Sequence, residues 1–153
     1  MKPPPTTDSP TEWLSPQAGY MLLALMEATE AANRGEVPIG AVVSDAQGRI
    51  LAQGGNQTRS DLDPTAHAEV VVLRQAARRR GDHRLLDTQL HVTLQPCPMC
   101  LEALRQARVT TVVYAGQRLW EHSPLPPCSL QQEKASEEVA VGLLSQFFQQ
   151  KRA

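Results

Sequence analysis

The period of the apolar positions changes several times along this chain, and each change predicts an element. Beyond Pro16, apolar or small residues recur at Leu22, Leu25, Met26, Thr29 and Ala32, close to the helical repeat. Ser15 reads as the N-cap, Pro16 as the first helical residue, and Gly35 as the left-handed residue that closes the segment. Ile39 to Ser44 and Ile50 to Gln53 read as two strands of a hairpin turning at Asp45-Ala46-Gln47-Gly48, with Gly54, Gly55 and Asn56 as a loop. A second helix follows Asp63-Pro64-Thr65 and runs to about Arg80, its apolar side carrying Val70, Leu73, Ala76 and Ala77. Gln89 to Leu94 alternates as a strand should. The helix Pro98 to Ala107 and the β-branched strand Val109 to Ala115 then complete a right-handed parallel crossover. Gly116 to Glu133 is proline-rich, has no readable period and is expected to be a loop. Ser136 to Lys151 reads as a last helix, acidic early at Glu137 and Glu138 and basic at Lys151 and Arg152, as the helix dipole favours. The order αββαβαβα implies an α/β fold, a three-layer αβα sandwich around a mixed sheet.

Composition narrows the class without changing this picture. With 153 residues, 41% hydrophobic and 20% charged, the chain matches one globular domain. Residues 1–14 are expected to be a disordered proline-rich tail and 15–153 the folded domain. The longest apolar run, Tyr20 to Met26, is too short to span a bilayer, and the start has no apolar signal region. A net charge of −1 excludes a globally basic nucleic-acid binder but not a local patch. The arginines at 74, 78, 79, 80 and 84 read as a solvated helix face and its exit. Three cysteines, two of them in a C-x-x-C, point to metal or redox chemistry in a reducing compartment, so the chain is expected to be cytoplasmic.

The chemistry concentrates in two short stretches. Asp63 to Glu69 carries an imidazole (His67) and a carboxylate (Glu69) at a helix start, and Pro96-Cys97-Pro98-Met99-Cys100 carries two thiols at ligand spacing. Zinc prefers imidazole nitrogen and thiolate sulfur in tetrahedral array, so His67, Cys97 and Cys100 are candidate ligands for one ion. A structural site is closed by a fourth protein ligand, whereas a catalytic one leaves that corner to water. Cys128, His91 and His122 are the candidates for a fourth, and none has a familiar spacing, which favours an open site. The first N–H groups of the Pro98 helix would stabilise both thiolates. On an ideal helix, residues two apart do not share a face, so periodicity alone does not bring Glu69 to the metal. Asn56 by itself reads as a turn residue, and Phe147-Phe148 as core packing.

Together, the His-x-Glu and Pro-Cys-x-x-Cys stretches carry the signature of the zinc-dependent cytidine/deoxycytidylate deaminase superfamily, and the chain resembles its bacterial tRNA adenosine deaminases. Glu36-Val37-Pro38-Ile39-Gly40-Ala41-Val42, Asn56, Leu73-Arg74-Gln75, Val92-Thr93-Leu94, Val112-Val113-Tyr114 and Leu143 to Phe148 extend the likeness over roughly Ser15 to Arg152. The resemblance implies one zinc per chain on His67, Cys97 and Cys100, with Glu69 as proton shuttle rather than ligand. It implies Asn56 as the base-recognising residue and Val37, Pro38, Ala68 and Leu94 as walls of a pocket for a flipped-out base. It also implies hydrolytic conversion of adenosine to inosine at a tRNA wobble position, a homodimer, and no membrane. Arg118, Lys134, Phe147 and Phe148 become candidate nucleic-acid contacts. Three departures stand out: Gln95 where these relatives carry glutamate, Gln57-Thr58 after Asn56, and no evident fifth strand or basic glycine-rich segment between Tyr114 and Ser136. These keep open a deaminase of a free base or nucleoside (guanine, cytosine or adenine), or of single-stranded DNA. A non-catalytic zinc-stabilised domain that binds RNA or a partner subunit is the reading from a different class.

Overall fold

The computed structural model describes residues 16–117 and 130–134. The elements are α1 (Pro16–Asn33), β1 (Gly40–Ser44), β2 (Ile50–Gly55), α2 (Ala68–Arg80), β3 (Gln89–Leu94), α3 (Pro98–Gln106), β4 (Thr111–Gly116) and β5 (Gln131–Lys134). They form a five-stranded sheet in the order β2-β1-β3-β4-β5. β1 is antiparallel to both β2 and β3, whereas β3, β4 and β5 run parallel, so the sheet is mixed as expected.

Both faces are covered. On one, Met21, Ala24 and Leu25 of α1 pack with Val42, Val113 and Ala115. On the other, Ala68, Val72, Leu73 and Ala76 of α2 and Leu101 and Leu104 of α3 close over Ala41, Val43, Leu90, Val92 and Val112. Central β1 is therefore buried along its whole length, which a Gly-Ala-Val-Val-Ser strand without charges can tolerate. Among the described residues, no helix is long and apolar enough to cross a membrane.

Four expectations are corrected. The buried side of α1 is Ala18, Met21, Ala24, Leu25, Ala28 and Ala31, while Met26 is 63% exposed and Thr29 faces solvent. The helix turns its smallest side chains inward because it lies almost on the backbone of β1. A Cβ at Gly40 would collide with the carbonyl of Ala24 and the amide of Ala28. Second, β2 continues through Gly54 and Gly55, which pair with Ala41 and Gly40, so the two glycines are strand rather than loop. Gly55 is required there because a Cβ would meet the Glu27 carbonyl at 2.8 Å. Third, the inward side of α2 is set by Ala68, Glu69, Val71, Val72, Leu73 and Ala76, leaving Val70 and Ala77 half-buried. Fourth, the stretch 116–133 is not loop throughout. β5 pairs Gln131 to Lys134 with Thr111 to Tyr114. Its Gln-Gln-Glu-Lys sequence has no apolar alternation, so backbone pairing to β4 makes it a strand, anchored by buried Leu130. The proline-rich start, the helix expected over Ser136 to Lys151, and Arg118, His122, Cys128, Phe147 and Phe148 lie outside the described residues.

Candidate active site

Two helices start at the same end of the sheet, and each begins on a metal-ligand type of residue. His67 occupies the N-cap position of α2 in extended backbone (φ −66°, ψ 154°), and Cys97 occupies that of α3 (φ −72°, ψ 168°) with Pro98 next. Neither side chain caps its own helix, so both are free to point elsewhere. The parallel β3–β4 pair carries the chain to this point, since Gln95 N–H still donates to the Gly116 carbonyl at 2.7 Å before Pro96 turns it into α3.

His67 Nδ1 lies 3.6 Å from Cys97 Sγ and 3.5 Å from Cys100 Sγ, and the three donor atoms lie within 4.8 Å of one another. Tetrahedral zinc with bonds of roughly 2.3 Å to sulfur and 2.0–2.1 Å to nitrogen sets its nitrogen and sulfur ligands about 3.6 Å apart. The separations therefore suit zinc. Both cysteines are buried free thiols, not a disulfide. No other His, Cys, Asp or Glu joins the cluster among the described residues. His91 does not close it, because its ring stacks against Tyr20 at 4.9 Å in the core beneath α1.

Of the two sulfurs expected as thiolates, the protein by itself favours only one. The hydrogen bond from the Cys100 thiol holds Cys97 down at about 5, helped by the Cys100 backbone N–H in the first turn of α3 and by His67. Cys100 is pushed up in return, because its proton is shared with the Cys97 sulfur, it is buried, and Glu69 adds negative charge nearby. Glu69, at the second position of α2, is 1% exposed, and neither carboxylate oxygen has a hydrogen-bond partner among the described residues. Burial raises its pKa, and the Cys97 charge adds to the effect. A buried carboxylate that no described residue satisfies, beside a cluster of metal donors, is a group with capacity left for a water or a substrate.

The residues around this centre hold it in place. Asn56 is 4% exposed, and its Oδ1 accepts the Ala68 N–H at 2.9 Å, fixing the first residue of α2 between His67 and Glu69. Its own N–H donates to Ile39 O at 3.1 Å, which ties in the Val37-Pro38 segment. Asp63 Oδ1 accepts from the N–H and hydroxyl of Thr65 at 2.9 and 2.7 Å, and Ala66 N–H donates to Asp63 O, shaping the turn that delivers His67. Ala68 is fully buried, Pro38 and Leu94 are half-buried, Val37 is 53% exposed, and Lys134 sits exposed at the far end of β5.

Sequence reasoning gave Glu36 no role. It is 5% exposed, and its carboxylate accepts from Ser60 N–H at 2.7 Å, Arg59 N–H at 3.2 Å and the Thr58 hydroxyl at 3.4 Å. Burial opposes its charge, yet these donors hold the pKa below the usual range. It clamps the loop between Asn56 and His67. An acid just before an apolar strand was the available signal, but nothing local names its distant partners.

Residues 15–116 match the cytidine and deoxycytidylate deaminase zinc-binding region. The chain belongs to that family. It is 48% identical over 98 residues to the tRNA-specific adenosine deaminase of Agrobacterium fabrum, a match spanning 64% of each protein. To the enzyme of the same name from Bacillus subtilis it is 36% identical over 149 residues, covering 87% of this chain and 89% of the relative. A solved structure from work on A-to-I editing by tRNA:A34 deaminases superposes with a TM-score of 0.72 at 37% identity, covering 79% of this chain and all of that one. The three converging donors all lie inside the matched region.

Proposed function

We propose that this chain is a zinc-dependent hydrolytic deaminase that converts adenosine to inosine in RNA, at the wobble position of a tRNA anticodon. The observation that carries the chemistry is Glu69: a buried carboxylate with no hydrogen-bond partner among the described residues, beside three converging metal donors. The tRNA substrate is supported by the relatives named for it. His67, Cys97 and Cys100 hold the metal. Zinc in that site would supply the positive charge that keeps the thiolates ionised and lowers the pKa of water from about 15.7 toward about 7.

Glu69 takes one proton from the attacking water and delivers it to the ring nitrogen, then passes a second to the departing amine. Water oxygen becomes the keto group of inosine and the nitrogen leaves as ammonia. Asn56 orients the base while its Oδ1 holds the start of α2, and Val37, Pro38, Ala68 and Leu94 wall the pocket. An unstacked anticodon base reaches such a pocket at low cost. Lys134, Arg118, Phe147 and Phe148 contact the polynucleotide, and residues 15–153 act as one domain, as a homodimer in the cytoplasm. Purified protein is expected to hold one zinc per chain by elemental analysis and to form inosine in tRNA while releasing no ammonia from free adenine, guanine or cytosine. Ammonia from a free base with no inosine in tRNA would replace this reading with that of a nucleobase deaminase.

A further inference from the structure

The loop between the two site residues Asn56 and His67 carries an unusual side chain. Leu62 is 90% exposed, and its backbone is left-handed at φ 50°, a conformation that residues other than glycine and asparagine rarely adopt. The loop imposes it. Asp61 N–H donates to Gln57 O at 2.9 Å and Asp63 N–H to Thr58 O at 3.1 Å, while the Glu36 carboxylate pins residues 58–60 from beneath. Strain that a surrounding network over-determines collects at functional sites.

The Glu36 carboxylate ties residues 58–60 of the loop to the residue before Val37, and both Leu62 and Val37, the latter at 53% exposure, are large apolar side chains in solvent. Two cations bridge the same two segments. Arg34 donates to the Asn56 carbonyl at 3.4 Å and Arg59 to the Gly35 carbonyl at 2.9 Å. These partners orient the guanidiniums without neutralising them, and neither arginine makes an ion pair among the described residues. Exposed aliphatic side chains beside positioned positive charge suit a single-stranded nucleic acid, whose base faces bury apolar area against the former and whose phosphates meet the latter. A free base has no phosphate for these cations to hold.

We infer that Leu62 is a specificity-determining contact: the base next to the deaminated one lies on its side chain, with the adjoining phosphate held by Arg59. This deepens the RNA reading above and rests on it. The test uses the zinc-loaded full chain and RNA stem-loops with one target adenosine, intact or abasic at the position 5′ or 3′ to it. Leu62→Asn keeps a residue that accepts the left-handed backbone but removes the apolar surface.

For the wild type, one of the two abasic substrates is expected to show kcat/KM reduced about fivefold to tenfold, carried by KM. Leu62→Asn is expected to lose the same factor on intact RNA and nothing further on that abasic RNA, with an unchanged or higher melting temperature. Leu62→Gly serves as the second variant. If abasic substitution costs wild type and variants equally on both sides, Leu62 touches no flanking base and the inference falls while the RNA reading stands. If the wild type forms no inosine in any RNA, the RNA reading falls and takes this inference with it.

Discussion

The two ends of the sheet solve their polar problems in opposite ways. At the end where β1 turns into β2, Asp45 accepts from the N–H groups of Gln47 and Arg49 at 2.9 Å and pairs with the Arg49 guanidinium at 2.8 Å. Gly48 supplies the positive φ of 81° that this turn requires, and Tyr20 donates its hydroxyl to the Gly48 carbonyl at 2.6 Å. Each of these groups has a partner. At the other end, the N-cap residues of α2 and α3 do not cap their own helices, two thiols and an imidazole crowd together, and a carboxylate is buried with no partner among the described residues. The same fold thus stores satisfied turns at one end and unsatisfied donors and acceptors at the other. The second end is where chemistry is placed, because groups already satisfied by protein have nothing left for a metal, water or base.

Breaking this contrast at the reactive end gives the largest effect. Glu69→Gln removes a buried charge that protein does not satisfy, so the variant is expected to keep its zinc and melt no lower than wild type. Inosine formation should fall by roughly 10²–10⁴, the range for a positioned proton-transfer group. Zinc analysis, calorimetry and single-turnover assays together check this; undiminished activity would remove Glu69 from the proton path, and no activity in the wild type would favour a non-catalytic zinc domain.

Between the two ends lies His91, fully buried against Val42, Val113 and Tyr20, with no hydrogen-bond partner for either nitrogen among the described residues. Burial lowers its pKa from 6.5 to about 4, so below pH 6.5 the unfolded chain binds the proton first. Its share of stability is intact above that pH and is lost as pH falls toward 4, up to about 3 kcal/mol. His91→Leu should flatten that part of the pH dependence in denaturant titrations. The difference between the two proteins isolates the histidine, because both share the same metal chemistry.

The smallest effect belongs to the satisfied end. Asp45→Ala strips the hairpin turn of its cap and should lower the melting temperature by a few degrees, with kcat on tRNA unchanged. Burial opposes the charge of Asp45, yet donors from Arg49 and Gln47 hold its pKa down, so it stabilises above the ordinary aspartate range and, in the same sense as His91 but at lower pH, its contribution fades as pH falls below about 4. An activity loss in this variant as large as in Glu69→Gln would erase the contrast between the ends.

Local pattern was enough to find the hairpin, the β3–α3–β4 crossover and the donor set. Each depends on neighbours in sequence: Gly48 in its turn, β-branched Val112 and Val113 in β4, and Cys97 and Cys100 three apart at a helix start. Glu69 was harder, because two residues apart on a helix means different faces. The structure resolves this by keeping His67 extended at the N-cap, so only Glu69 is truly in the helix.

What the sequence carried by itself is therefore the αβα order and the two short motifs that mark His67, Cys97 and Cys100 as candidate donors, since short-range spacing encodes each motif. The shuttle role of Glu69 came from the family resemblance alone. Tertiary structure alone decided which side of α1 faces inward, that Gln131 to Lys134 is a strand, and that Glu36 clamps the loop carrying Leu62. Those outcomes come from backbone proximity and from partners distant in sequence, where the side chains carry no periodic mark of what they will meet.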